Sequence, residues 1–298
     1  MNSFRLQTRM SLLIAALAVI AATSGLFESD SGNVSTFMTL RGQEVGLYGR
    51  GLYKLDTLFM GAGNRGVDFT ILVFAVPLLL LLTYISRRGS IRARLLHLGV
   101  LAYLLYIYIS MSFAVAYNSL FLLYVVLFSA LFYTFIFSFT SIDRQLIRQR
   151  LTEGAPQKGL IIFMVASGAI TLFVWGEPLV TALVQQRPPL LLDSYTTPVT
   201  YGLDLAIITP ATFLTAVWIH QKRCLGYLTA VPLFVLIIFL APQIAAQTIF
   251  QIRAGVQLSP GQIIGPISGF VVLGIIAVVL LSRLLEKLSP DHSGSIGG

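Results

Sequence analysis

The chain alternates long apolar runs with short polar connections. Runs of about twenty apolar residues, the length a helix needs to cross the hydrocarbon of a bilayer, fall at 10–27, 67–86, 95–115, 118–140, 160–184, 199–220, 225–248 and 262–282. Neither alternation nor a one-sided helical stripe runs through them, so they read as helices that are apolar all round. The expected fold class is all-α: a polytopic transmembrane helix bundle of about eight spanning helices, one domain over 1–288. The polar, Gly/Ser-rich run 289–298 is expected to be a disordered tail.

The single long connection, 28–66, is predicted to lie outside the membrane, and a loop of that length is often functional. Leu47, Leu52, Leu55 and the run Leu58 to Met60 predict an interfacial helix within it.

Composition supports the membrane assignment. Hydrophobic residues make up 56% of the chain and charged residues only 11%, against about 25% charged in soluble domains. Too few charges remain to cover a soluble surface. The net charge of +8 does not signal nucleic-acid binding, because the basic residues sit between apolar runs and not in a stripe with interleaved aromatics.

Their positions predict orientation instead. Arg5 and Arg9; Arg87, Arg88, Arg92 and Arg94; Arg144, Arg148, Arg150 and Lys158; Lys222 and Arg223; and Arg283 and Lys287 all fall on one side of an alternating topology. The other side holds Arg41, Arg50, Lys54, Arg65, Arg187 and Arg253. The positive-inside rule then places both termini in the cytoplasm. A rival reading of the first run is a signal peptide over 1–24, which would leave seven helices.

Catalytic and metal motifs are missing from the sequence. One cysteine, Cys224, excludes an internal disulfide and any cysteine-based metal cluster. His97, His220 and His292 stand apart, with no HExxH, so no metal and no cofactor are expected. His97 and His220 read as headgroup-level residues at helix ends.

Ionisable groups inside apolar runs are expensive and therefore informative. Glu177 lies about 12 Å below the outer end of its run, at 1.5 Å per residue, and Asp204 lies nearer its own outer end. Pro178 and Pro210 follow them and leave the carbonyls of Val174 and Ala206 without their usual helical partners. Gln243, Gln247 and Gln251 recur every four residues on one helix face. They read as interhelical glue or as a cavity wall, with Arg253 near the outer end as a counter-ion to a carboxylate. These polar features gather in the outer half of the membrane, which predicts a pocket open to the outside. Glu177, Asp204, Gln243, Gln247 and Arg253 would line it, and Tyr48, Tyr53, Asp56, Arg65 and Asp68 would form a lid from 28–66.

The runs YGRGLYKLDTLF and NRGVDF, SRRGSIRARLLHLG, AYNSLFLLY, YGLDLAIITP and RCLGYLTA resemble an uncharacterised family of predicted bacterial multi-pass membrane proteins. The resemblance spans most of the chain and implies a bacterial inner-membrane setting, with no activity attached.

Three functions fit these observations. The first is binding of a small solute or lipid-like molecule from the extracytoplasmic side, by a transporter or permease-like component. The second is a membrane-embedded enzyme with Glu177 as general acid or base. The third is an assembly or sensor subunit. The expected partners are the lipid bilayer, a small-molecule or lipid ligand, and a membrane protein or second copy, with no nucleic acid.

Overall fold

The structure, a computed structural model, describes residues 2–28, 32–151, 157–189 and 192–288. The expected tail at 289–298 lies outside them. Among the described residues eight helices are long and apolar enough to cross a membrane. They are α1 (Asn2–Phe27), α2 (Leu58–Ser86), α3 (Ile91–Phe113), α4 (Phe121–Thr140), α6 (Gln157–Val184), α7 (Val199–His220), α8 (Cys224–Arg253) and α9 (Pro260–Glu286). The short polar helix α5 (Arg144–Leu151) joins α4 to α6. The chain is thus a multi-pass membrane protein, and an even number of crossings returns α9 to the face on which α1 begins. We call that the basic face, since Arg5, Arg87, Arg144, Lys222 and Arg283 lie at its helix ends.

The second span starts earlier than hydropathy predicts, at Leu58. Thr57 caps it by accepting a hydrogen bond from the Met60 N–H. The first turns, LFMGAGNRG, are small and weakly apolar, yet Gly61, Ala62, Gly63, Asn64 and Gly66 are buried. They face other helices rather than lipid, so their low hydropathy hid a helix. The predicted lid residues Arg65 and Asp68 therefore belong to α2.

The predicted interfacial helix is not present among the described residues. Its place is taken by an antiparallel hairpin of β1 (Ser35–Met38) and β2 (Glu44–Leu47), followed by the turn region 48–57. Leu47 lies in β2, and Leu58 to Met60 open α2.

Helix α8 is the axis of the bundle and packs on α2, α3, α7 and α9. Its contact with α3 is apolar and interlocked: Leu101, Leu104, Val231, Phe234 and Val235 are buried together. Tyr103 stacks on Phe239 with ring centroids 4.3 Å apart. Its contact with α2 is a backbone approach. A methyl group on Gly66 would overlap the backbone of Gln247, so only glycine lets the two helices meet there.

Two spans contain a wide turn directly before a proline. In α2, Ile71–Ala75 is π-helical and the Val76 N–H bonds the Ile71 carbonyl. In α7, Asp204–Ile208 is π-helical and the Thr209 N–H bonds the Asp204 carbonyl. Pro77 and Pro210 have no N–H to offer the preceding turn, and the shifted pairing recovers part of that loss.

Replacing Gly66 with valine forces α2 away from α8, an overpacking cost of about 1–3 kcal/mol. The thermal midpoint of detergent-solubilised Gly66→Val should fall clearly below that of Gly261→Ala, whose added methyl meets nothing. Equal midpoints would contradict this packing.

Candidate ligand site

Two polar systems occupy the face opposite the basic one. The first is a cap that ties the extramembrane segments to the helix ends. The Tyr53 hydroxyl donates to Asp68 Oδ2 at 2.7 Å, and that carboxyl lies against Gly25 of α1, where any side chain would collide with it. Arg65 donates to the Tyr48 hydroxyl at 2.9 Å and to the Leu26 carbonyl at the end of α1. Its guanidinium also stands 5.8 Å from the ring centre of Phe250 on α8. One arginine thus joins α1, the 48–57 turn, α2 and α8.

Asp56 is the other anchor of the cap. Its Oδ1 accepts from the Ala116 N–H at 2.9 Å and from the Tyr195 hydroxyl at 2.7 Å. The same hydroxyl accepts from the Thr57 N–H at 3.3 Å. Arg41 of the hairpin donates to the Tyr195 carbonyl at 2.9 Å. The connection between α6 and α7 is thereby held against the hairpin.

Burial pushes the Asp56 carboxyl up to about 6, against the opposing pull of the Ala116 N–H and the Tyr195 hydroxyl. Its Oδ2 is buried without a hydrogen-bond partner. Burial, and then the neighbouring Asp56, pushes the Tyr195 phenol up as well.

The second system is a cavity of about 530 Å³ enclosed by α6, α7, α8 and α9. Its walls are mostly apolar, including Ile170, Val174, Leu236, Leu240, Phe270 and Leu273. Each helix contributes a stretch of eight or nine residues, so the cavity runs about 12 Å along the bundle at 1.5 Å per residue.

Asp204 stands in the wall near the hairpin end, where the wide turn of α7 begins. Its Oδ2 accepts from Trp175 Nε1 at 2.7 Å, and the Tyr106 hydroxyl of α3 bonds the same carboxyl. Ser167, Thr171 and Thr212 are the other polar lining residues. The lining offers no histidine, cysteine or lysine.

The least closely packed side of the cavity lies between α6 and α9. Helix α6 packs on α7, and α7 and α9 pack on α8. Helices α6 and α9 touch near the basic face, where a methyl on Gly159 would lie 3.3 Å from Leu280. Towards the other face they diverge, and nothing lies within 4 Å of a methyl on Gly265 or Gly269.

Glu177 occupies a separate pocket of about 250 Å³ at the outer end of α6, with Thr181, Arg187 and Tyr201. It is exposed and accepts from the Thr181 hydroxyl at 2.9 Å. Tyr201 lies against Trp175 with ring centroids 4.3 Å apart and planes tilted by 32°, so this aromatic pair stands between the Glu177 pocket and the Asp204 cavity.

The glutamine face joins helices. Gln243 accepts from the Tyr103 hydroxyl at 2.8 Å, and Gln251 donates to the Phe59 carbonyl at 3.2 Å. Gln247 lies beside Gly63 of α2. Arg253 is exposed at the end of α8, and the polar partners found for Glu177 and Asp204 lie elsewhere. Of the residues predicted to bind, only Asp204 lines the large cavity, and none of Tyr48, Tyr53, Asp56, Arg65 and Asp68 does.

No family model matches the sequence, and no curated protein or solved structure is similar to the chain. The site must be read from its own chemistry.

Sequence reasoning passed over Trp175 and Tyr195, whose roles depend on contacts across 29 to 139 positions of chain, and Tyr106 was one of six tyrosines between 103 and 133 that the sequence could place either in a site or in helix packing. It also misjudged His97. That residue is buried, 2.9 Å from the Ser11 hydroxyl, and Gln7 beside it donates to Ser138 at 3.0 Å, which links α1, α3 and α4. The four-residue spacing of Gln7 and Ser11 was the available signal.

The raised Asp56 value gives the cap a pH dependence of definite sign. An acid that holds its proton more tightly folded than unfolded stabilises the fold fully below about pH 4 and loses that contribution as pH rises through about 6. The difference is worth up to about 3 kcal/mol. Hydrogen exchange of residues 48–60, corrected for intrinsic rates, should be faster at pH 8 than at pH 5. Asp56→Asn should level the two.

Proposed function

We propose that this membrane protein binds an amphipathic, lipid-like molecule in the cavity between α6, α7, α8 and α9, as a transporter or permease-like component. The observation that carries the reading is the cavity itself: about 530 Å³ of apolar space within membrane-spanning helices, with a hydrogen-bonded carboxyl at one end. Ligand pockets typically enclose about 300–1,000 Å³, lined by apolar side chains and a few placed polar groups. A chain would lie along Leu236, Leu240 and Leu273, with its headgroup at Asp204. The gap between α6 and α9 is the entry route from the bilayer.

Proline placement supports movement of these helices. Pro178 in α6, Pro210 in α7 and Pro232 and Pro242 in α8 each interrupt the helical hydrogen bonding near the cavity. Broken helices at a binding site are the usual construction of transporters. In this reading the hairpin face is extracytoplasmic, and the basic residues of the opposite face lie in a bacterial cytoplasm. The cap would then hold the α6–α7 connection through Tyr195 and act on the site from a distance, in place of roofing it directly.

A photoreactive amino acid at Leu240 should yield an adduct of lipid mass, whereas the same residue at Leu79, fully buried in the core, should cross-link only to protein. Protein-only adducts at both positions would sink the binding reading. Transport makes a separate demand. Ser167→Cys in a Cys224→Ala background should react with a membrane-impermeant maleimide from the basic side in at least one ligand condition. Silence under every condition leaves binding intact and removes transport.

A further inference from the structure

The donor–acceptor balance of the cavity narrows its occupant. Trp175 Nε1 and the Tyr106 hydroxyl are the donors nearest the carboxyl, and both already point to Asp204. The Thr171 hydroxyl donates to the Ser167 carbonyl at 2.9 Å, and the Thr212 hydroxyl donates to the Thr209 carbonyl at 2.7 Å. Their protons are committed to their own helices, and only their oxygen lone pairs remain for a ligand. The hydroxyl of Ser167 is buried without a partner, about 12 Å further along α6 from Trp175 and away from the headgroup end.

A carboxylate accepts at about four lone-pair positions, and two are filled here. No lysine or arginine lines the cavity. The headgroup end therefore presents a carboxyl that accepts hydrogen bonds, with no protein cation in the cavity lining to balance it when ionised. In a low-dielectric wall an unbalanced carboxylate is costly, and a charged hydrogen-bond donor is the partner that relieves the cost. The Trp175 and Tyr201 rings, tilted by 32° to one another, lie beside that carboxyl. An anionic headgroup would meet repulsion from an ionised Asp204, and a carbonyl or ether headgroup would gain no charged hydrogen bond from it.

We infer that the occupant is an amphiphile whose headgroup carries a protonated amine, bound by Asp204 with its chain in the apolar cavity. This rests on the ligand-cavity reading above and adds the headgroup class to it. The Glu177 pocket, beyond the Trp175–Tyr201 pair, differs in carrying Arg187 beside its carboxylate, so the unbalanced carboxyl is that of Asp204.

The test is competition. The full chain in phosphatidylcholine nanodiscs is photolabelled with a diazirine-bearing fatty alcohol, and undecylamine, undecanol and undecanoic acid compete for labelling of cavity residues. A charged hydrogen bond is worth about 1.5–3 kcal/mol, so undecylamine should suppress labelling at concentrations about tenfold or more below the other two. Asp204→Asn keeps an acceptor for Trp175 but removes the charge, and should erase most of that advantage. If the three compete equally, or the alcohol or acid wins, the headgroup inference is overturned while the cavity stands. If the probe labels no cavity residue, the ligand-cavity reading itself falls. Should Asp204→Asn not fold, Trp175→Phe takes its place. That variant keeps the carboxylate and frees a lone pair, so the amine advantage must persist or widen, and its loss overturns the inference.

Discussion

The hydrogen bond from Tyr53 to Asp68 joins the extramembrane segments to the helix bundle, and much of the hairpin face depends on it. Asp68 lies on a spanning helix, fully enclosed, with no water to solvate it. Its partner has to come from the protein, because a buried polar group without one costs several kcal/mol in such surroundings. Tyr53 supplies that partner from the 48–57 turn, and Gly25 gives the carboxyl room against α1. Arg65, one turn earlier on the same helix, closes the arrangement by reaching the last carbonyls of α1 and the Tyr48 hydroxyl. The hairpin, the turn and two spans are thus fixed by the requirement that one carboxyl and one guanidinium be satisfied together.

The same requirement explains why half of the bundle is tight and half is open. In a bilayer no hydrophobic force draws helices together, since lipid tails are as apolar as leucine, and association relies on close packing and polar pairs. Helices α2, α3 and α8 have both: Gly66 against the Gln247 backbone, Tyr103 to Gln243, and Gln251 to the Phe59 carbonyl. Between α6 and α9 the structure shows only the touch of Gly159 and Leu280 near the basic face. Further along α9, a methyl on Gly265 or Gly269 meets nothing within 4 Å, and the gap can fill with an apolar chain at little cost.

Hydropathy and charge alternation revealed the eight spans and the all-α class, because these are one-dimensional properties that a bilayer reads directly. The start of α2 escaped for a physical reason. GAGNRG is buried by neighbouring helices and needs small residues, not apolar ones, so a scale built on transfer to lipid passes over it. The intramembrane carboxyls were visible as anomalies, but their ranking was not. Glu177 is deeper in its apolar run, yet α6 ends at the surface of the bundle and leaves it exposed, while the wide turn before Pro210 sets Asp204 in the cavity wall. The glutamine periodicity was readable and its meaning depended on which helix lay opposite. Trp175, Tyr106 and Tyr195 could not be singled out, since an aromatic in a membrane helix is ordinary until its partner is known.

The α6–α7 connection is where the two polar systems meet. Tyr195 fixes it to Asp56 and, through the Tyr195 carbonyl, to Arg41 of the hairpin. Six residues later Tyr201 lies against Trp175, which holds Asp204. A continuous set of contacts therefore runs from a carboxyl outside the membrane, through one connection, to a carboxyl in the wall of the cavity. The first holds the connection through Tyr195, and the second presents acceptors to whatever enters. Any change that releases Tyr195 from Asp56 removes the restraint on the segment that carries the aromatic pair at the cavity's outer end. The cap and the cavity share no lining residue, yet the mouth of one is positioned by the anchor of the other.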